Sequence, residues 1–221
     1  MGRHELKFCI NRSDCIQLRT RLRVIAKPDV HARPDGSYIV RSLYFDNYSD
    51  KVVVEKLSGE SKREKFRIRY YNGDISFIRL EKKSKSNKLT NKESAIITPE
   101  QCREILAGNY ACLKVLNVPL MMELYTKIRT QNLRPRNIVD YNREAYTYGA
   151  GNVRIALDSC IKTSNSVSGF LNPDSVTVPA AGAIIMEIKF DGFLPDVIRD
   201  LVQTDRRNQT EFSKYVVARL V

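Results

Sequence analysis

Polar and apolar residues alternate with a period of two along much of this chain, the spacing of strands with one covered face. The run Lys65-Phe66-Arg67-Ile68-Arg69-Tyr70 shows it plainly, with Phe66, Ile68 and Tyr70 on one side and Lys65, Arg67 and Arg69 on the other. Alternation, or enrichment in β-branched and aromatic residues, predicts strands over 3–9, 38–46, 64–71, 75–84, 92–97, 136–147, 152–158 and 184–190. Gly73-Asp74 between the third and fourth runs predicts a tight hairpin turn. Helical spacing is rarer. Ser13 is placed to cap a helix to about Ile25, with Ile16, Leu18, Leu22 and Ile25 on its apolar side. Thr98-Pro99-Glu100 reads as a cap with proline at the first helical position, leading a short helix to Leu106. Segments 120–128, 195–202 and 212–220 complete the helices, and 163–182, rich in Ser, Ala, Gly and Pro, reads as a long loop inside one domain. The class is α+β, rich in antiparallel strands.

The length of 221 residues suits one large domain. Lys and Arg number 37 against 25 Asp and Glu, a formal charge of +12. That excess implies an anionic partner: nucleic acid, acidic membrane or phosphate. No apolar run approaches the ~18–20 residues of a membrane span and no signal-type apolar core opens the chain, so a soluble, cytoplasmic protein is expected. Five cysteines (Cys9, Cys15, Cys102, Cys112, Cys160) lie scattered without a CxxC pair. This speaks against a disulfide framework and a thiolate metal site. With only His4 and His31 present, His-rich zinc chemistry, a Ser-His-Asp triad and a Cys-His dyad are disfavoured as well. Neither GxxxxGK[ST] nor GxGxxG occurs, so the usual nucleotide loops are absent. The chemistry is left to Lys, Arg, Glu and Asp.

Those residues recur in one arrangement. Glu5 and Lys7 share a strand face, as do Arg79, Glu81 and Lys83, and Glu187 and Lys189; Arg41 and Arg154 stand inside apolar strands. A single such face is ordinarily solvated. Repetition on many strands favours a charged concave site, because unpaired charge lining a curled sheet is costly unless a polyanion neutralises it. Guanidinium groups bind phosphate oxygens bidentately and lysines add point charge. Glutamates in such a field suit Mg²⁺ or Mn²⁺ bridging phosphates, and phosphoryl transfer needs positioning and charge neutralisation more than a side-chain nucleophile.

The segments Glu5-Leu6-Lys7, Arg41-Ser42-Leu43-Tyr44-Phe45-Asp46, Arg67-Ile68-Arg69-Tyr70-Tyr71, Glu81-Lys82-Lys83, Tyr141-Asn142-Arg143, Val153-Arg154-Ile155-Ala156-Leu157-Asp158, Glu187-Ile188-Lys189 and Phe212-Ser213-Lys214-Tyr215 follow in an order that resembles the VTC domain. This is the polyphosphate-polymerase domain of the vacuolar transporter chaperone complex, a branch of the triphosphate tunnel metalloenzymes (CYTH-like). The resemblance spans nearly the whole chain. It implies an eight-stranded antiparallel β-barrel tunnel with flanking helices, a divalent cofactor (Mn²⁺ or Mg²⁺), and transfer of the ATP γ-phosphate to inorganic polyphosphate with release of ADP. Carried over by position, it implies phosphate binding by Arg67, Arg69, Lys83, Arg143 and Arg154. Lys7 and Lys189 add charge, Glu187 is the metal ligand, and Lys214 guards the product end. Arg67, Arg69, Lys83 and Arg154 are the expected catalytic set. Arg41 joins the tunnel face by alternation, with Glu5 and Glu81 as further metal candidates.

Two departures from the pattern matter. Hydrolytic relatives carry ExExK on the first strand; here Arg3 takes the first place, which tilts the expectation from water toward another phosphate as acceptor. Glu211 stands where the eukaryotic polymerases carry a second lysine. The family's SPX sensor and membrane anchor are not in this sequence, so coupled translocation is not implied, and a separate membrane or regulatory partner becomes an expectation. The alternatives are a tunnel triphosphatase acting on tripolyphosphate or nucleoside triphosphate, and a non-enzymatic binder of polyphosphate or RNA. Nucleic acid is disfavoured, because the aromatics lie on the covered side of the strands and Trp is absent. Lys82, Lys85, Lys88 and Lys92 read as an exposed lysine-rich hairpin.

Overall fold

A computed structural model describes residues 3–86, 89–203 and 207–221; Lys88 lies outside the described residues. The chain forms two compact units, one of Met1–Ile39, Tyr141–Ile161 and Ala181–Ser213, the other of Val40–Asp140, Lys162–Ala180 and Lys214–Val221. In chain order the first elements are β1 (Arg3–Ile10), α1 (Arg12–Ile25), β2 (Lys27–Pro28), β3 (Ser37–Asp46) and α2 (Lys51–Leu57). A three-strand meander follows, β4 (Lys62–Tyr71), β5 (Asp74–Ser86) and β6 (Leu89–Ile97), then α3 (Pro99–Leu106) and α4 (Pro119–Gln131). The remainder is β7 (Arg134–Tyr148), β8 (Val153–Ser164), β9 (Val178–Ala181), β10 (Ile184–Asp191), α5 (Asp196–Val202) and α6 (Lys214–Arg219).

All eight expected strands are present, with two short additions: β2 pairs with β7 and β9 with β8. Strand order is β1-β10-β8-β7 in the first unit and β7-β3-β4-β5-β6 in the second, since β7 passes from one to the other. The α+β class with antiparallel pairing holds. The hairpin turn between β4 and β5 is Asn72-Gly73, one residue earlier than expected. Both residues have positive φ (53° and 75°), as a turn matched to strand twist requires.

Each unit buries one face of its strands under helices. In the first, Leu18 and Leu22 of α1 and Ile198 of α5 pack with Ile155, Leu157, Met186 and Ile188. In the second, Cys102 and Ile105 of α3 and Leu124 and Ile128 of α4 pack with Leu43, Phe66, Ile68, Tyr70, Ile78 and Leu80. The cap of α1 is Asn11 rather than Ser13, in a reciprocal box with Asp14. At α3 the expected Thr98 cap is in place, its side chain accepting from Gln101 N–H. The region read as one long loop holds the end of β8 and β9 as well as a single 3₁₀ turn, Val167–Gly169. Among the described residues no helix is long and apolar enough to cross a membrane.

Candidate functional site

In the second unit, the strand faces turned away from α3 and α4 carry the charge. Register places Arg67 opposite Glu81 and Tyr44, Arg69 opposite Arg79 and Ser42, and Lys83 between Lys65 and Lys92. Three cations converge on one carboxylate. Arg67 Nε donates to Glu81 Oε2 at 2.9 Å, with Nη2 at 2.8 Å. Arg69 Nη2 lies 2.7 Å and Lys92 Nζ 2.8 Å from Glu81 Oε1. Tyr44 accepts from Arg67 Nη1 at 3.1 Å, and Arg69 lies over the Tyr71 ring. Glu81 is only 2% exposed. Burial alone pushes its carboxyl upward, but Arg67, Arg69 and Lys92 outweigh that and hold it down at about 2. It is therefore an anion at every physiological pH, and three positive charges against one leave a local excess. Glu81, expected among the metal ligands, has both oxygens occupied by cations and acts as the counter-ion that holds the guanidiniums side by side.

The first unit presents a different balance. On β1, β10 and β8, Glu5 stands opposite Lys189 and Lys7 opposite Glu187, with Arg154 opposite Lys189. Opposite charges thus face each other across β1 and β10, whereas the β10–β8 pair of Lys189 and Arg154 is like-charged. Lys7 Nζ is 2.9 Å from Glu5 Oε1 and 3.3 Å from the Phe212 carbonyl, and Lys189 Nζ is 2.5 Å from Glu187 Oε1. Arg143 of β7 binds Asp158 with both Nε and Nη2, at 2.6 and 2.7 Å, and lies 3.7 Å from Glu187. Burial opposes the Arg143 charge, yet Asp158 more than offsets it and keeps the guanidinium ionised. Arg154 is 2.6 Å from Asp29 and donates to Tyr38 Oη at 2.8 Å, leaving about a third of its side chain exposed. Lys7, Arg143, Arg154 and Lys189 meet Glu5, Asp29, Asp158 and Glu187: four cations and four acids.

Carboxylate donors suit a hard divalent cation, and Glu5 and Glu187 project from the same face, diagonal to each other across β1 and β10. Among the described residues no three His, Cys, Asp or Glu side chains are grouped to hold a metal ion. Two carboxylates on one face fit a hard divalent ion that takes one or two protein ligands, rather than an all-protein cage.

Arg41 requires a correction. Register sets it opposite Tyr70, on the side of Leu43, Ile68 and Phe45, away from the Arg67–Arg69 face. There it is buried in a bidentate pair with Asp140 (2.8 Å for both contacts) and also donates to the Asn172 carbonyl. Strand β3 is covered on both sides, so alternation could not tell which side shares the Arg67–Arg69 face. Lys214 begins α6 in the second unit. Lys92 is exposed, as expected of a hairpin lysine, and is also a member of the Glu81 cluster, its parity with Lys83 across β5 and β6 being the available signal; Lys82, expected exposed as well, is instead largely covered and paired with Glu123. Asp158, Asp29 and Asp140 were missed as partners because each pairs with a distant segment.

A family model described as the VTC domain matches residues 2–221, running through both units. The chain belongs to the VTC domain family. No curated protein sequence matches it. Among solved structures, it is similar to a proposed adenylate cyclase from Bacillus halodurans, at 12% identity over 86% of this chain and 82% of that one, with a TM-score of 0.49. It is also similar to the PH1012 protein of Pyrococcus horikoshii OT3, at 14% identity over 92% of each chain, with a TM-score of 0.48. VTC domain membership rests on the family model; the charged faces described above give it chemical content.

Proposed function

We propose that this VTC domain is a metal-dependent polyphosphate polymerase that transfers the γ-phosphate of ATP to the end of an inorganic polyphosphate chain. The observation that carries the reading is the Glu81 cluster, where three cations share one buried carboxylate and so retain positive charge for phosphate oxygens. In this reading Arg67, Arg69, Lys83 and Lys92 hold phosphate in the second unit, and Arg154, Lys7 and Lys189 are the phosphate-binding cations of the first. An oxygen of the chain-end phosphate attacks the γ-phosphorus, the bond from that phosphorus to the β-bridging oxygen breaks, and ADP leaves. The attacking oxygen is already ionised at neutral pH, so no general base is needed, in keeping with two histidines and no nucleophile motif. Glu5 and Glu187 would be the carboxylates to hold Mn²⁺ or Mg²⁺, which would supply neutralisation of phosphate charge.

Hydrolysis needs an activated water instead. The first strand offers Arg3 in place of an additional carboxylate, and Arg3 Nη2 is engaged with the Asn152 carbonyl at 2.8 Å. This favours phosphate over water as acceptor. The test is incubation with ATP and Mn²⁺ while ADP, orthophosphate and polymer are resolved in one assay. Polymer matched by ADP, and lost in Arg67→Ala, supports the polymerase. Orthophosphate without polymer replaces it with a triphosphatase, and neither product leaves a phosphate-binding domain.

A further inference from the structure

Tyr44 interrupts the charged face of the second unit. Register sets it opposite Arg67, on the side of β3 and β4 that carries Arg67 and Arg69, yet the residue is almost wholly covered, at 3% exposure. Tyr215 of α6 stacks on it, with ring centroids 4.9 Å apart and planes inclined by 28°. Tyr215 is fixed in turn by its hydroxyl, which donates to the buried Asp46 at 2.8 Å. Burial and the Asp46 charge push that hydroxyl upward, so it stays a protonated donor. Two cations meet the Tyr44 ring: Lys65 Nζ lies 5.7 Å and Arg67 Cζ 5.9 Å from its centroid. The Tyr44 hydroxyl accepts from Arg67 Nη1 at 3.1 Å.

Glu81 and Tyr44 serve Arg67 differently. Glu81 takes Nε and Nη2 and cancels charge, whereas Tyr44 takes Nη1 and cancels none. A carboxylate in place of the phenol would hold the guanidinium as firmly but neutralise it further, as Asp140 does for Arg41. A neutral acceptor on a stacked ring fixes the guanidinium plane and leaves the charge for an anion. We propose that Tyr44 is a positioning residue for phosphate binding: held by Tyr215 on α6, its hydroxyl sets the orientation in which Arg67 meets phosphate oxygens. The proposal rests on the reading of the Glu81 cluster as a phosphate site and deepens it, adding an uncharged residue whose effect runs through Arg67.

The experiment measures tripolyphosphate affinity by titration calorimetry at low salt for wild type, Tyr44→Phe, Arg67→Lys, the double variant and Tyr215→Phe. The melting temperature of each protein is recorded alongside. Tyr44→Phe keeps the ring and its stack and removes only the hydroxyl, so it should weaken binding about fivefold, the equivalent of one hydrogen bond. Arg67→Lys keeps the charge but has no guanidinium plane to hold. In that background the same tyrosine change should alter affinity less than about twofold, a non-additive pair. Tyr215→Phe lowers the melting temperature through Asp46 but leaves the Tyr44 hydroxyl in place, and should keep wild-type affinity. Unchanged affinity in Tyr44→Phe would overturn the proposal. So would equal losses in the two backgrounds, because Tyr44 would then act independently of Arg67. An affinity that falls with melting temperature in Tyr215→Phe as it does in Tyr44→Phe would leave Tyr44 a purely structural residue. Failure of wild type to bind tripolyphosphate would instead remove the phosphate reading on which the proposal stands.

Discussion

Glu81 ties stability to pH at the scale of a single residue. Its carboxyl is held at about 2 in the folded chain against an ordinary 4.5, so folding is favoured where the group is ionised in both states. That contribution is fully present above about pH 5, amounts to roughly 3 kcal/mol, and is lost as pH falls from there toward 2. Glu81→Gln should therefore lose about 3 kcal/mol in urea unfolding at pH 7, with the gap to wild type shrinking on acidification. A gap that stays constant down to pH 3 would show that the carboxylate is not the counter-ion. Arg143 makes the complementary case, since Asp158 is fully buried and depends on it. Arg143→Ala should cost about 3–5 kcal/mol by stranding that charge. Arg143→Lys keeps the charge but loses the two-bond geometry, and should recover only part of the stability. Alternation made the grouping of Arg67, Arg69 and Glu81 legible, because their strands have one covered face. It failed for Arg41, whose strand is covered on both. It also could not disclose that Asp158 or Asp140 is a partner, because no local pattern marks a counter-ion on another strand.

At the scale of elements, caps decided what could be read. The helix α3 was legible to the residue, with Thr98 and Gln101 bonding reciprocally and Pro99 at its first position. The helix α2 escaped because Val52-Val53-Val54 carries strand propensity and its cap lies upstream, at the end of β3. Asp46 Oδ1 accepts from Val52 N–H at 3.0 Å, and Asn47 Oδ1 from Lys51 N–H at 3.0 Å. The other oxygen of Asp46 accepts the Tyr215 hydroxyl at 2.8 Å, and the Tyr215 ring stacks on Tyr44. One buried carboxylate thus joins a strand end, the start of α2 and α6, with Tyr44 touching Arg67 of the cluster. Asp46→Ala removes the cap and leaves a buried hydroxyl without its acceptor, an expected loss of about 2–4 kcal/mol in chemical denaturation. Asp46→Asn retains one acceptor oxygen and should lose less. Equal losses for the two would mean that only the charge matters and the cap does not.

For the whole molecule the decisive quantity is the net charge of +12 and its concentration on particular strand faces. Excess charge of one sign destabilises the compact state by self-repulsion, so any anion bound only by the folded chain adds to its stability. A site-bound polyanion and a diffuse ion atmosphere both screen the charge, but they differ in concentration dependence. At a hundred times its dissociation constant, a single-site ligand stabilises by about 2.7 kcal/mol. For a chain of this size that corresponds to a rise in melting temperature of roughly 5–10 °C. Tripolyphosphate should produce such a rise at low salt and micromolar to millimolar concentration, and it should fade as salt is added. Sulfate at the same ionic strength should give far less, because one tetrahedral anion cannot engage Arg67, Arg69 and the Lys65–Lys83–Lys92 row together. Arg67→Ala should reduce the tripolyphosphate rise while leaving the response to sulfate unchanged. If sulfate and tripolyphosphate raise the melting temperature equally at matched ionic strength, the positive charge acts only through general screening and the Glu81 cluster is not a phosphate site.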